Sequence, residues 1–65
     1  MKFPNRIKKR RIELGFSQLE LSQLAGYKSR PHFSLIENGH RRPETEKMIR
    51  IAEVLKAPVS DIFLI

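Results

Sequence analysis

The sequence predicts an all-α fold: five short helices packed round one core. Three observations predict it. Apolar residues recur at spacings of three and four almost throughout, and the alternation of a strand is absent. Gly15, Gly26, Gly39, Pro43 and Pro58 fall between the periodic segments, where chain punctuation belongs. At 65 residues the chain has room for one small core and therefore one domain, 1–65. No internal repeat, low-complexity segment or linker divides it.

The first helix is expected from about Asn5 to Leu14, with Pro4 before it and Gly15 closing it. Ile7, Arg11 and Leu14 share one face at i, i+4 and i+7. In the stretch FSQLEL that follows, Ser17 and Glu20 form an S-x-x-E capping box, and Phe16 and Leu21 have the spacing of a hydrophobic staple. The second helix then runs to Ala25, with Leu21, Leu24 and Ala25 inward, and Gly26 ends it. The turn YKS leads into SRPHFSLIENG at 29–39. There Ser29 or Arg30 caps a third helix, Pro31 fits its first turn, and Gly39 suits a left-handed C-terminal cap. Phe33 and Ile36 mark its core face, while Arg30, Ser34 and Leu35 face outward. A fourth helix is expected from about Glu44 to Leu55, with Met48, Ile51, Ala52 and Leu55 buried. Pro58 starts a last short helix with Val59, Ile62 and Phe63 on one face.

Composition narrows the function. Without cysteine there is no disulfide or thiolate metal site. No apolar run approaches the roughly 20 residues that span a bilayer. The N-terminal MKFPNRIKKRR has no apolar h-region, so a cytosolic protein is expected. Thirteen Lys and Arg against seven Asp and Glu give a formal charge of +6, with a pI near 10.4. A basic surface attracts phosphate polymers or anionic lipid. Many small soluble proteins are basic, so the clustering matters more: RIKKRR at 6–11, KSR at 28–30 and HRR at 40–42. Two helices joined by a tight turn at Gly26 suggest a helix-turn-helix, in which the second helix of the pair is presented to the DNA major groove.

RIKKRRIELGFSQLELSQLAG at 6–26, FSLIENGHRRP at 33–43 and MIRIAEVLKAPVSDIF at 48–63 together resemble the Cro/repressor-type (XRE) helix-turn-helix family of bacterial and phage regulators. The combination of SQ, AG, IENG and RP is much more specific than any one piece. The resemblance implies a compact five-helix, lambda-repressor-like domain that binds double-stranded operator DNA, usually as a homodimer. Two features depart from the family pattern. The turn YKS reads one residue longer than usual, and Arg10 stands where many relatives have an apolar residue. The aliphatic stem of Arg10 can cover the core while its head reaches water.

The same resemblance assigns roles. Ser17 and Gln18, at the start of the second helix, match residues that bond a phosphate oxygen; an amide beside free backbone N–H groups suits that task. Arg11 and Glu37 match a partly buried ion pair that joins helix one to helix three and fixes its angle. Asn38, His40, Arg41 and Arg42 match a loop that runs beside the DNA backbone. Arg30, Pro31, His32, Ser34 and Leu35 match the base-reading side of the recognition helix. Arg can pair with guanine, Ser can bond several edges, and Leu can pack on a thymine methyl. Phe63, Leu64 and Ile65 end the chain with three apolar residues, which one helix face cannot bury, and mark an expected dimer interface.

Catalysis is not expected. His32 and His40 lie on different elements and lack the spacing of a helical metal pair; no catalytic triad or carboxylate pair is suggested. No metal, cofactor or small-molecule ligand is implied. The competing class is a protein-interaction module, such as an antitoxin whose main partner is a toxin; no segment after Ile65 suggests a toxin-wrapping arm. A membrane-surface peptide fits poorly, because the basic residues do not gather on one long amphipathic helix.

Overall fold

Local capping signals set the starts of the second and third helices. In the computed structural model, which describes residues 3–63, five helices follow one another: α1 (Ile7–Leu14), α2 (Gln18–Leu24), α3 (Arg30–Glu37), α4 (Thr45–Val54) and α5 (Val59–Phe63). The capping box at α2 is complete: Ser17 Oγ accepts the Glu20 N–H at 3.0 Å, and Glu20 Oε1 accepts the Ser17 N–H at 2.8 Å. That bond holds the Glu20 carboxyl below its ordinary pKa. The cap is therefore intact above the usual carboxylate range and weakens as the pH falls through the lowered value. Ser29 caps α3 and accepts the His32 N–H at 3.4 Å, with Pro31 in the first turn. Gly39, at φ 81°, turns the chain off the end of α3.

Asn5 is expected within α1 but lies just ahead of it. Its Oδ1 accepts the Ile7 N–H at 3.0 Å, and its Nδ2 donates to the Ile36 carbonyl at 2.9 Å. One side chain thus starts α1 and satisfies a carbonyl at the end of α3. Glu44 likewise precedes α4 as its N-cap, and Leu55 follows it as the C-cap.

The core is formed by Ile7, Leu21, Ala25, Phe33, Ile36, Met48, Ile51, Ala52, Leu55, Ile62 and Phe63, drawn from every helix or its cap. Phe33 and Ile36 are 0 % and 1 % exposed, so the register expected for α3 holds. Three expectations are corrected. Leu24 is 46 % exposed rather than inward, because Leu21, Ser22 and Ala25 already fill the buried stripe of α2. The head of Arg10 does not simply reach water: its Nε donates to the Leu55 carbonyl at 2.9 Å, closing the C-terminal end of α4. Phe63 is 6 % exposed and completes the monomer core, so it offers little surface to a second subunit; Leu64 and Ile65 lie outside the described residues.

α4 ends in the left-handed conformation at Lys56, φ 56°, a position that favours glycine. An L-residue there is strained by contact of its Cβ with the backbone. Lys56→Gly is therefore expected to raise unfolding stability by about 0.5–1 kcal/mol, the relief of strain less the extra entropy glycine brings to the unfolded chain. Urea unfolding of the two proteins measures it.

Candidate nucleic-acid interface

The surface around α3 is built from the core outward. Glu37, on the last turn of α3, has a side chain only 1 % exposed, and it is fully engaged. Arg11 Nε donates to its Oε1 at 2.9 Å, and Gln18 Nε2 donates to its Oε2 at 2.6 Å. Arg11 Nη1 also donates to the Phe16 carbonyl at 2.9 Å. One carboxylate thus links α1, the entry to α2, and α3.

The Gln18 amide is oriented by this arrangement. A carboxylate only accepts, so the NH2 of Gln18 must face Glu37 and its Oε1 must face the other way. On that side Arg30 Nη1 donates to Gln18 Oε1 at 3.3 Å. At the far side of α3 the ring Nε2 of His32 lies 3.5 Å from Arg41 Nη1. Gln18 and Arg30 therefore connect the start of α2 to the start of α3, and His32 and Arg41 connect the start of α3 to the loop after it. Arg30, Pro31, His32 and Leu35 are exposed, Leu35 by 45 %. Ser34 is half-buried and accepts from Asn38 Nδ2 at 3.4 Å. Asn38, His40, Arg41 and Arg42 are all exposed, as is Ser17. The guanidinium of Arg42 lies 5.9 Å over the Phe3 ring, which steadies the loop.

Sequence reasoning missed the residues that set the turn. Tyr27 packs edge-on to His32, with ring centroids 5.5 Å apart, and tilted on Phe33 at 5.3 Å. Burial, and next the charge of Glu44, push its hydroxyl up to about 12. Lys47 Nζ donates to the Gly26 carbonyl at 3.1 Å, and Arg50 Nε to the Leu24 carbonyl at 3.1 Å. Two cations of α4 thereby sit on the negative end of α2, where the helix dipole favours them. A long-range bond to a backbone carbonyl leaves no motif, so only the fold reveals it.

The basic clusters part company. KSR and HRR flank α3, but Arg10 and Arg11 are tied to internal partners. Arg6, Lys9 and Arg10 line a groove between α1 and α5 that no residue of α2 or α3 enters.

A helix-turn-helix family model matches residues 7–62, nearly the whole chain. The chain belongs to the XRE-type helix-turn-helix family. Three solved structures share its fold. The restriction-modification controller protein C.AhdI from Aeromonas hydrophila is 25 % identical, with a TM-score of 0.76, over 86 % of this chain and 83 % of that one. The N-terminal DNA-binding domain of SinR from Bacillus subtilis is 33 % identical, with a TM-score of 0.73, over 83 % and 78 %. SinR, the master regulator of biofilm formation, in complex with DNA is 33 % identical, with a TM-score of 0.72, over 83 % and 86 %. No curated sequence matches the chain. The five-helix, all-α architecture is that of these regulators.

Proposed function

We propose that this DNA-binding regulator is a repressor that reads a pseudo-palindromic operator as a homodimer, with α3 in the major groove. The exposed Arg30, His32 and Arg41, linked through Gln18 to the start of α2 and through Arg41 to the loop after α3, carry the reading. Its centre is a helix end with Arg30, Pro31, His32, Ser34 and Leu35 available to base edges. Its margins are Ser17 with the start of α2 on one side, and Asn38, His40, Arg41 and Arg42 on the other, available to phosphates. Arg11 and Glu37 set the angle of α3 from within. Two-fold pairing places two such helices about one DNA turn apart, with half-site centres roughly 10 bp from each other.

Selection from a random duplex pool supplies the operator, and a salt series on it tests the phosphate map. Each neutralised phosphate contributes about one unit to the slope of log affinity on log salt. Arg41→Ala is expected to weaken binding to all sequences alike and to flatten the slope by about one unit. A wild-type response that is flat with salt, or a single subunit bound per full operator in sedimentation, contradicts the proposal.

Leu35 gives a finer test. It is exposed beside Phe33 and Ile36, which hold the core, so shortening it leaves the fold intact. Leu35→Ala is expected to cost about 1 kcal/mol of binding at one A·T pair in each half-site, the low end for a base contact. Uracil in place of that thymine should remove the same energy, and the two losses should not add. Equal losses on every sequence would assign Leu35 to packing alone.

A further inference from the structure

We propose that the groove between α1 and α5 is a docking site for an acidic segment of a partner protein, separate from the DNA face. The groove encloses about 310 Å³. Its walls carry four cations, Arg6, Lys9, Arg10 and Lys56, against the carboxylates of Glu13 and Asp61. Arg10 spends its Nε on the Leu55 carbonyl and meets Glu13 at 3.5 Å. Among the described residues Arg6, Lys9 and Lys56 form no ion pair, and all three are exposed. Ala57, Pro58 and Ile62 supply apolar lining between the charges. Cationic walls with an apolar lining fit a peptide of Asp and Glu that carries a Leu-like anchor.

Two further observations favour this occupant. The groove walls are tied together by the Arg6 N–H on the Ile62 carbonyl at 2.7 Å and by Arg10 on the Leu55 carbonyl. A partner segment therefore meets a preformed surface and orders only itself. Second, Lys56 keeps a charged side chain at a left-handed position where glycine fits without strain. Strain retained at one residue is accounted for when its side chain is used. Because no residue of α2 or α3 lines the groove, a partner can sit there while α3 is engaged.

The test uses a synthetic peptide of Asp, Glu and Leu, with its Asn/Gln counterpart as control, titrated into the 15N-labelled protein. Saturable shifts are expected at the amides of Arg6, Lys9, Lys56, Ala57 and Ile62 with the acidic peptide only. Lys56→Gly, which suits the backbone there, should keep the fold and weaken the peptide about threefold to fivefold, the upper part of the range for one exposed ion pair. Arg41→Ala should leave the peptide affinity within twofold. Shifts confined to α3 and the loop at Arg41 and Arg42, no loss in Lys56→Gly, or peptide displaced by duplex DNA each overturn the proposal; the last makes the groove a nucleic-acid surface.

Discussion

Arg11→Met is expected to destabilise the domain by about 3–5 kcal/mol, the cost of stranding a buried charge. The stranded charge is Glu37, whose side chain is 1 % exposed. Its two oxygens are held by Arg11 and Gln18, and only Arg11 brings a compensating charge. Removing Arg11 also frees the Phe16 carbonyl, which its Nη1 satisfies. A domain of this length has a total stability of roughly 3–10 kcal/mol, so the variant lies near the edge of folding. The double variant Arg11→Met/Glu37→Leu should recover most of the loss, because two apolar side chains of similar volume replace a pair that costs desolvation. Urea unfolding followed by circular dichroism measures both. A loss below about 1 kcal/mol in the single variant is the size of a solvated surface pair, and would remove the ion pair as the anchor of α3. The recovered double variant also separates stability from orientation: it folds, but α3 loses the bond that sets its angle, so DNA affinity should stay reduced.

The legibility of this chain follows the range of its interactions. Caps and turns act over three or four residues, so the box at Ser17 and Glu20 and the turn at Gly39 could be read directly. The core stripes of α3 and α4 could be read because Phe33, Ile36, Met48, Ile51 and Ala52 keep helical spacing. Leu24 could not: α2 and its C-cap bury Leu21, Ser22 and Ala25, and which positions turn inward depends on where the neighbours stand. Arg10, Lys47 and Arg50 were legible as charges but not as donors, since each bonds a carbonyl at least 21 residues away. At the proposed DNA face, outward positions follow from periodicity, whereas the turning of Gln18 toward Glu37 depends on a contact between helices. The same limit explains why RIKKRR reads as one basic cluster in sequence and divides in space.

That inward turn of Gln18 changes what it does at the proposed interface, and Arg30 is where the change is felt. Arg30→Ala is expected to cost about 1–3 kcal/mol at one G·C pair in each half-site, the worth of a bidentate Arg–guanine contact. Little should be lost where that pair is already A·T, and the fold should be unaffected, since Arg30 is exposed. Gln18 commits one N–H to Glu37 and turns its carbonyl toward Arg30. It is thereby a positioning residue for Arg30, holding a long side chain near the geometry that guanine requires. Gln18→Ala should then cost about 1 kcal/mol more on operators that carry the G·C pair than on the others, the scale of a single hydrogen bond, above a uniform loss from the bond to Glu37 that it breaks. Combined with Arg30→Ala, that G·C-specific part should add nothing, because the two residues act on the same base. A Gln18 that instead bonded phosphate would give the opposite pattern. Its loss would carry no G·C-specific part and would add in full to that of Arg30→Ala. Affinities of the four proteins on the G·C and A·T operators, at one fixed salt concentration, decide between the two.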